Sequence, residues 1–196
     1  MPFYKKIGIY LNLWRVTLAW VCARGGRYAD RFLEDNRVWC ERNLPEEFTP
    51  GIFTFGYNMI WAKEYRSLVL HRLHGNPLRF ALVRLLFKPL ESIYLNMPCE
   101  SIGGGLFLQH GFATIIAARS VGDRCSINQQ VTVGFNGSKC PVIGNDVTIC
   151  AGAIIVGDVS VGDGATIGAG AVVVNDVPSG ATVVGVPAHT VGCDCV

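Results

Sequence analysis

VIGNDVTICAGAIIVGDVSVGDGATIGAGAVV, residues 142–173, repeats on a six-residue beat. Every sixth residue from Ile143 is aliphatic: Ile149, Ile155, Val161, Ile167 and Val173. Four places beyond each of these stands a smaller apolar residue: Val147, Ala153, Val159, Ala165, Ala171 and Val177. Upstream the beat holds at Val121, Ile127 and Val133, and again at Ile102 and Leu108. It slips by one residue between Leu108 and Ile115, and by four between Val133 and Ile143. Apolar positions six apart drift around a 3.6-residue helix, so the pattern is not helical. It suits short strands joined by tight turns, each strand sending one aliphatic side chain inward and each coil stacking on the next. Gly103, Gly122, Gly144, Gly162 and Gly168 directly follow five of the aliphatic residues, where the backbone must bend or pack closely. The expected fold is mainly β, a parallel β-helix of about four coils from Ile102 to Val177.

Outside the repeat the texture changes. Residues 1–98 carry 14 Lys and Arg against 8 Asp and Glu, whereas residues 99–196 carry 3 against 7. The chain therefore divides into a basic, apolar region over 1–97 and the repeat domain with its C-terminal tail over 98–196. The first region reads as helical, with helices over roughly 7–24, 27–43, 59–74 and 77–95, and Pro77 suits a first helical turn. Cations spread thinly over an apolar surface fit a membrane face or an anionic ligand, and no nucleic-acid motif is present. The apolar run Ile7–Ala23 is interrupted by Arg15 and is short for a spanning helix, so it reads as an interfacial or a core helix. The eight cysteines show no CxxC and no framework, which points to free thiols in the cytoplasm. Cys193 and Cys195 could hold a soft metal, but no histidine follows them, and no metal is expected.

The segments IGGGLFLQHG, SINQQVTVG and CPVIGNDVTICAGAIIVGDVSVGDGATIGAGAVVVNDVPSGATVVGVPAHTVG resemble the hexapeptide-repeat acyltransferases. Within them the chain resembles the serine acetyltransferase branch, which includes bacterial polysaccharide O-acetyltransferases. The front region matches only through KEYRSLVLHRL. The resemblance implies a left-handed parallel β-helix, a homotrimer, and acetyl-CoA as cosubstrate in a groove between neighbouring β-helices.

It also implies that His110, the one histidine inside the repeat, is the general base. A hydroxyl is a poor nucleophile until its proton is taken in the transition state, and imidazole suits that task near neutral pH. The family's orienting carboxylate falls at Leu95 or Asn96 here; Asn96 is the candidate partner of His110, and Glu100 is another by proximity. Ala151 and Ala169 match small positions along the pantetheine groove. Gly185, Pro187 and Ala188 match the segment that meets CoA near its adenine end, where His189 replaces the usual basic residue. The acceptor pocket departs most: Gln109, Lys139 and Cys140 stand where serine acetyltransferases carry Asp, Arg and His. Gln cannot pair with an ammonium as a carboxylate does, and Lys lacks the bidentate fork of Arg. These changes point away from a free amino acid and towards a glycan. The expectation is an O-acetyltransferase acting on a surface polysaccharide or its lipid-linked precursor, peripheral at the inner membrane face. Serine O-acetylation in cysteine biosynthesis is the alternative, and a non-catalytic β-helix scaffold the second.

Overall fold

The computed structural model describes residues 3–191, so the Cys193–Cys195 pair lies outside the described residues. The chain divides into two compact units, Met1–Glu91 and Ser92–Val196.

The first unit is helical: α1 (Phe3–Leu11), α2 (Leu13–Arg24), α3 (Ala29–Asn43), α4 (Ile52–Trp61), α5 (Lys63–Arg72) and α6 (Pro77–Leu86). The single helix expected over 7–24 is broken at Asn12, whose side-chain amide donates to the Gly8 carbonyl (2.9 Å) and whose Oδ1 accepts from Arg15 (2.8 Å). The helix expected over 59–74 starts earlier and breaks at Ala62. There the Arg66 guanidinium caps α4 by donating to the carbonyls of Met59 and Ile60, both at 2.6 Å. Helix α6 opens on Pro77, with the Asn76 side chain accepting from the Arg79 amide (3.1 Å), and ends well before residue 95. Trp39, Tyr65, Phe32 and Phe55 fill the core. Inside it, Arg72 makes a two-pronged ion pair with Asp35 (2.9 and 3.1 Å), both side chains at most 2% exposed.

The second unit is the parallel β-helix. Its strands are β1 (Ile93–Leu95), β2 (Phe107–Leu108), β3 (Thr114–Ile116), β4 (Ser120–Val121) and β5 (Ser126–Ile127). Next come β6 (Thr132–Gly134), β7 (Val142–Ile143), β8 (Thr148–Ile149), β9 (Ile154–Val156) and β10 (Ser160–Val161). The last are β11 (Thr166–Ile167), β12 (Val172–Val173), β13 (Thr182–Val184) and β14 (His189–Val191). They form three faces. The first is β1-β3-β6-β9-β12, the second β4-β7-β10, and the third β2-β5-β8-β11-β13 with β14 antiparallel at its edge. Bridges Ile102–Val121 and Val161–Val177 extend the second face to five rungs, matching the other two.

The repeat residues build the interior ladders. Leu108, Ile127, Ile149, Ile167 and Val183 line the third face, and Ile116, Val133, Ile155 and Val173 the first. All are buried, and each contributes about 1.5–3 kcal/mol by leaving water. One register differs from the expected slip. Ile116 points inward, and Ile115 is 42% exposed. The turn ahead of β3 takes two additional residues, His110 and Ala113 both adopting positive φ (59° and 52°). The glycines after the ladder residues mark real close approaches: a Cβ on Gly122 would stand 2.5 Å from the Gly144 carbonyl. Between the second and third faces an Asp/Asn ladder ties coil to coil. Asp123 accepts from the Gly104 amide (2.8 Å), Asn145 from the Asp123 amide (2.9 Å), and Asp163 from the Asn145 amide (2.6 Å).

Candidate active site

The chain winds from first face to second to third, so the β-helix has three edges of distinct chemistry. The second-to-third edge holds Asp123, Arg124, Asp146 and Asp163, with Arg124 and Asp146 paired at 2.6 Å. The first-to-second edge holds Arg119, Lys139 and Asp158. The third-to-first edge carries no charged carboxylate or Lys or Arg in its turns over 109–113, 128–131, 150–153, 168–171 and 185–188.

That uncharged edge gathers most of the residues singled out from sequence. His110 sits in its first turn, exposed, with Gln109 beside it donating its backbone N–H to the Ile127 carbonyl (2.9 Å). The His110 carbonyl accepts from the Phe112 amide, which closes a tight turn. Phe112, 46% exposed, stands next to it. Ala151 lies in the third turn, Ala169 in the fourth, and Gly185, Pro187 and Ala188 in the fifth. The turns are stitched together by Gln130 N–H to Phe112 C=O (3.0 Å), Gly152 N–H to Gln129 C=O (3.1 Å) and Gly170 N–H to Ala151 C=O (2.9 Å). The fifth turn folds back on β12 through Val172 N–H to Gly185 C=O (3.0 Å) and Ala188 N–H to Val172 C=O (2.8 Å). Four rung steps at about 4.8 Å put His110 roughly 19 Å from Gly185. Along that line His110 stands at one end, and the third to fifth turns, Cys150–Ala153, Gly168–Ala171 and Gly185–Ala188, are built mainly of Gly and Ala.

Four singled-out residues lie elsewhere. Asn96 follows β1, and its amide donates to the Ile116 carbonyl (2.9 Å), whereas His110 precedes β3. The two therefore flank opposite ends of β3, and no hydrogen bond joins them among the described residues. Glu100, in the 3-10 turn Cys99–Ser101, is on the Asn96 side of that strand. Lys139 and Cys140 sit in the loop Gly134–Pro141, which leaves the first-to-second edge rather than overhanging His110 of the same chain. There the backbones of Asn136 and Lys139 pair (2.9 and 3.2 Å), and Lys139 Nζ meets Asp158 at 3.5 Å, with Arg119 on the other carboxylate oxygen at 3.6 Å. Among the described residues no group of three or more His, Cys, Asp or Glu side chains could hold a metal ion.

Sequence reasoning missed Thr114 and Gln130. The Thr114 hydroxyl, fully buried, bonds the carbonyls of Phe112 and Asn128 (both 3.3 Å), locking the His110 turn to the next coil. Gln130 holds φ 60°, a left-handed conformation that Gly152 and Gly170 take in the next two turns. Both residues fall within the repeat; Thr114 is near His110 along the chain, and the rung alignment brings Gln130 to the same turn.

The bacterial transferase hexapeptide (six repeats) family matches residues 140–175. A serine acetyltransferase of Staphylococcus epidermidis is 34% identical over 171 residues, covering 82% of this chain and 78% of that protein. The chain belongs to the serine acetyltransferase family. It is an acyltransferase. Among solved structures, the serine acetyltransferase of Brucella abortus strain S19 superposes with a TM-score of 0.61 at 26% identity, covering 84% of this chain and 69% of that one. A serine acetyltransferase in complex with CoA superposes with a TM-score of 0.60 at 26% identity, covering 86% and 72%.

Family membership corrects the expected acceptor. A polysaccharide hydroxyl was expected from Gln109, Lys139 and Cys140, but the relatives that match over most of the chain are serine acetyltransferases. The physical reason is chemical: Gln109 still offers an amide oxygen that can accept from an ammonium and Lys139 still carries a positive charge, so these replacements do not exclude an amino acid.

Proposed function

We infer that the protein is a serine O-acetyltransferase that takes its acetyl group from acetyl-CoA. The observation that carries this reading is the 34% identity to a serine acetyltransferase over 82% of the chain. The edge running from His110 to Gly185 agrees with it, with a histidine at one end and turns free of Lys, Arg, Asp and Glu along its length.

In this reading His110 takes the proton from the serine hydroxyl as its oxygen attacks the thioester carbonyl. Backbone N–H groups of the neighbouring turns stabilise the oxyanion that forms. The carbon–sulfur bond then breaks, and His110 returns the proton to the CoA thiolate, giving O-acetylserine and CoA. Gln109 offers its amide oxygen to the serine ammonium. Ala151 and Ala169 leave room for the pantetheine arm, and Gly185, Pro187 and Ala188 meet the adenine end.

Lys139 is the cation suited to the serine carboxylate, and Cys140 stands beside it. Because their loop leaves a different edge, they serve the His110 of another subunit, in a homotrimer whose grooves lie between β-helices. Asn96, beyond the far end of β3, is the weaker candidate for orienting His110. The donor places the enzyme in the cytoplasm. The basic, apolar α1 and α2 give it peripheral contact with the inner membrane face, and among the described residues no helix is long and apolar enough to cross a membrane.

The test is CoA-thiol release from acetyl-CoA with L-serine. Serine-dependent turnover is expected; a folded protein that releases no CoA with serine overturns the reading.

A further inference from the structure

A cleft of about 510 Å³ opens in the helical unit between the α1–α2 break and the end of α6. Three cations line it: Arg15, Arg66 and Lys88. Among the described residues none of the three pairs with a carboxylate. Arg66 is held in place by the carbonyls of Met59, Ile60 and Lys88 (2.6, 2.6 and 3.0 Å), which leaves two of its five N–H groups to spare. Arg15 lies over the Phe87 ring, 4.6 Å from its centroid, with one N–H on Asn12 and the others uncommitted. Burial lowers the basicity of Arg66, and the Arg15 charge lowers it further, while Glu64 offsets them in part from outside the cleft. Like charges held together without a counter-charge are the mark of a site that takes an anion.

Beside the three cations and Asn12, the lining is apolar: Ile60, Leu85, Leu86 and Phe87. Leu85, which lines it, is 83% exposed, and Leu11 and Trp14, next in sequence to the lining residues Asn12 and Arg15, are 74% and 64% exposed. The sequence around Arg15 and leading to Lys88 is basic. Residues 3–29 contain five Lys and Arg and no Asp or Glu, and residues 77–88 contain Arg79, Arg84 and Lys88 and no acid. A soluble anion would not call for exposed Leu and Trp, and an apolar protein partner would not call for three unpaired cations. The combination suits an anionic amphiphile. Aromatic and aliphatic side chains enter the interface while Lys and Arg meet the headgroups.

We propose that this cleft takes the phosphate headgroup of an acidic phospholipid, seating the helical unit on an anionic membrane surface. The proposal deepens the peripheral contact described above by naming its ligand and the side chains that hold it, and it does not depend on the acceptor of acetyl transfer.

The test is co-sedimentation of the full chain with phosphatidylglycerol vesicles and with phosphatidylcholine vesicles. Binding to the first, little to the second, and release by salt are expected, because screening shortens the range of these charges. Each Lys or Arg near an anionic surface contributes about fivefold in affinity, so Lys88→Glu should weaken phosphatidylglycerol binding at least about fivefold and leave serine turnover in solution unchanged. Leu85→Ser should weaken it too, and Trp14 emission should shift to the blue only with acidic vesicles. Lys88→Ala, a milder change at an exposed site, guards against misfolding of the charge reversal. Equal binding to both vesicle types would leave the peripheral contact standing and overturn the cleft. Binding to neither overturns both. Thermal stabilisation by inorganic phosphate without vesicle binding also overturns the lipid assignment, as does a larger oligomer by light scattering that ignores vesicles. Loss of serine turnover alone touches only the acceptor reading.

Discussion

The amide of Gln130 donates to the carbonyl of Phe112 at 3.0 Å, so the turn that carries His110 is fastened to the rung after it. Thr114 fastens the same turn from inside through its buried hydroxyl. A histidine held in a left-handed conformation needs such support, because a non-glycine residue at φ 59° costs about 1–2 kcal/mol. The neighbours that hold it there fix the direction in which the ring points.

His110→Asn is the substitution that separates chemistry from folding. Asn tolerates the left-handed conformation, so the turn should survive, whereas Ala would add backbone strain. Loss of a general base typically costs about 10²–10⁴-fold in rate, and kcat should fall by that much. The melting temperature should stay within a few degrees of the parent. Unchanged turnover would remove His110 from the reaction.

Gly122→Ala tests the coil-to-coil packing. The added Cβ would meet the Gly144 carbonyl at 2.5 Å, which is backbone and cannot swing aside. Overpacking of this kind costs about 1–3 kcal/mol or more. Gly137→Ala is the control: its φ of +63° carries strain, but nothing lies within 4 Å of the new methyl. Chemical denaturation should show the larger loss for Gly122.

The ladders were legible because each coil repeats one chemical instruction every six residues. Where two aliphatics stand side by side, as at Ile115 and Ile116, the beat alone does not choose between them; the His110 turn decides. Strand β1 was hidden in a helical reading, because three residues are too few to show a period and its partner, Thr114–Ile116, lies far along the chain. The breaks at Asn12 and Ala62 carry no Gly or Pro. They are made by side chains reaching backbone carbonyls, Asn12 to Gly8 and Arg66 to Met59 and Ile60. His110 was legible as the one histidine within the repeat. The edge occupied by Lys139 was not, since it depends on counting faces. The wrong acceptor came from reading the replacements Gln109, Lys139 and Cys140 as excluding an amino acid, which their remaining amide oxygen and positive charge do not do.

Asp35→Ala should be among the most damaging changes in the helical unit. It leaves the Arg72 guanidinium charged and 2% exposed with no carboxylate to answer it. Removing one partner of a buried pair costs about 3–5 kcal/mol. Replacing both, as Asp35→Leu with Arg72→Met, should recover a large part of the loss in urea denaturation. Equal damage from single and double variants would show that the pair is not the source.

Cys125 predicts a pH dependence. Burial pushes its thiol up to about 11, above the ordinary thiol range. The folded chain therefore keeps the proton over an interval in which the unfolded chain has released it. Since the folded state then binds more protons, stability falls as pH rises from about 9 towards 11. Below that window the thiol contributes no slope. Cys125→Ala should flatten the alkaline arm of a stability profile, at the expense of some packing at all pH values. An identical slope in both proteins would assign the alkaline loss to another group.

The strongest test of how the site is assembled uses two damaged chains. His110 and Lys139 stand on different edges of one β-helix, and Lys139 is tethered to Asp158 at 3.5 Å. If a site takes its base from one subunit and its cation from the next, His110→Asn and Lys139→Ala chains should complement each other. Lys139→Ala alone should raise KM for serine with less effect on kcat, because the cation binds the carboxylate in both ground and transition states. Mixed, denatured together and refolded, the two variants should regain sites with parental KM, in proportion to the interfaces that receive His110 and Lys139 from unmutated sides. Were both residues drawn from one chain, every mixed site would carry one defect or the other, and parental KM would never return.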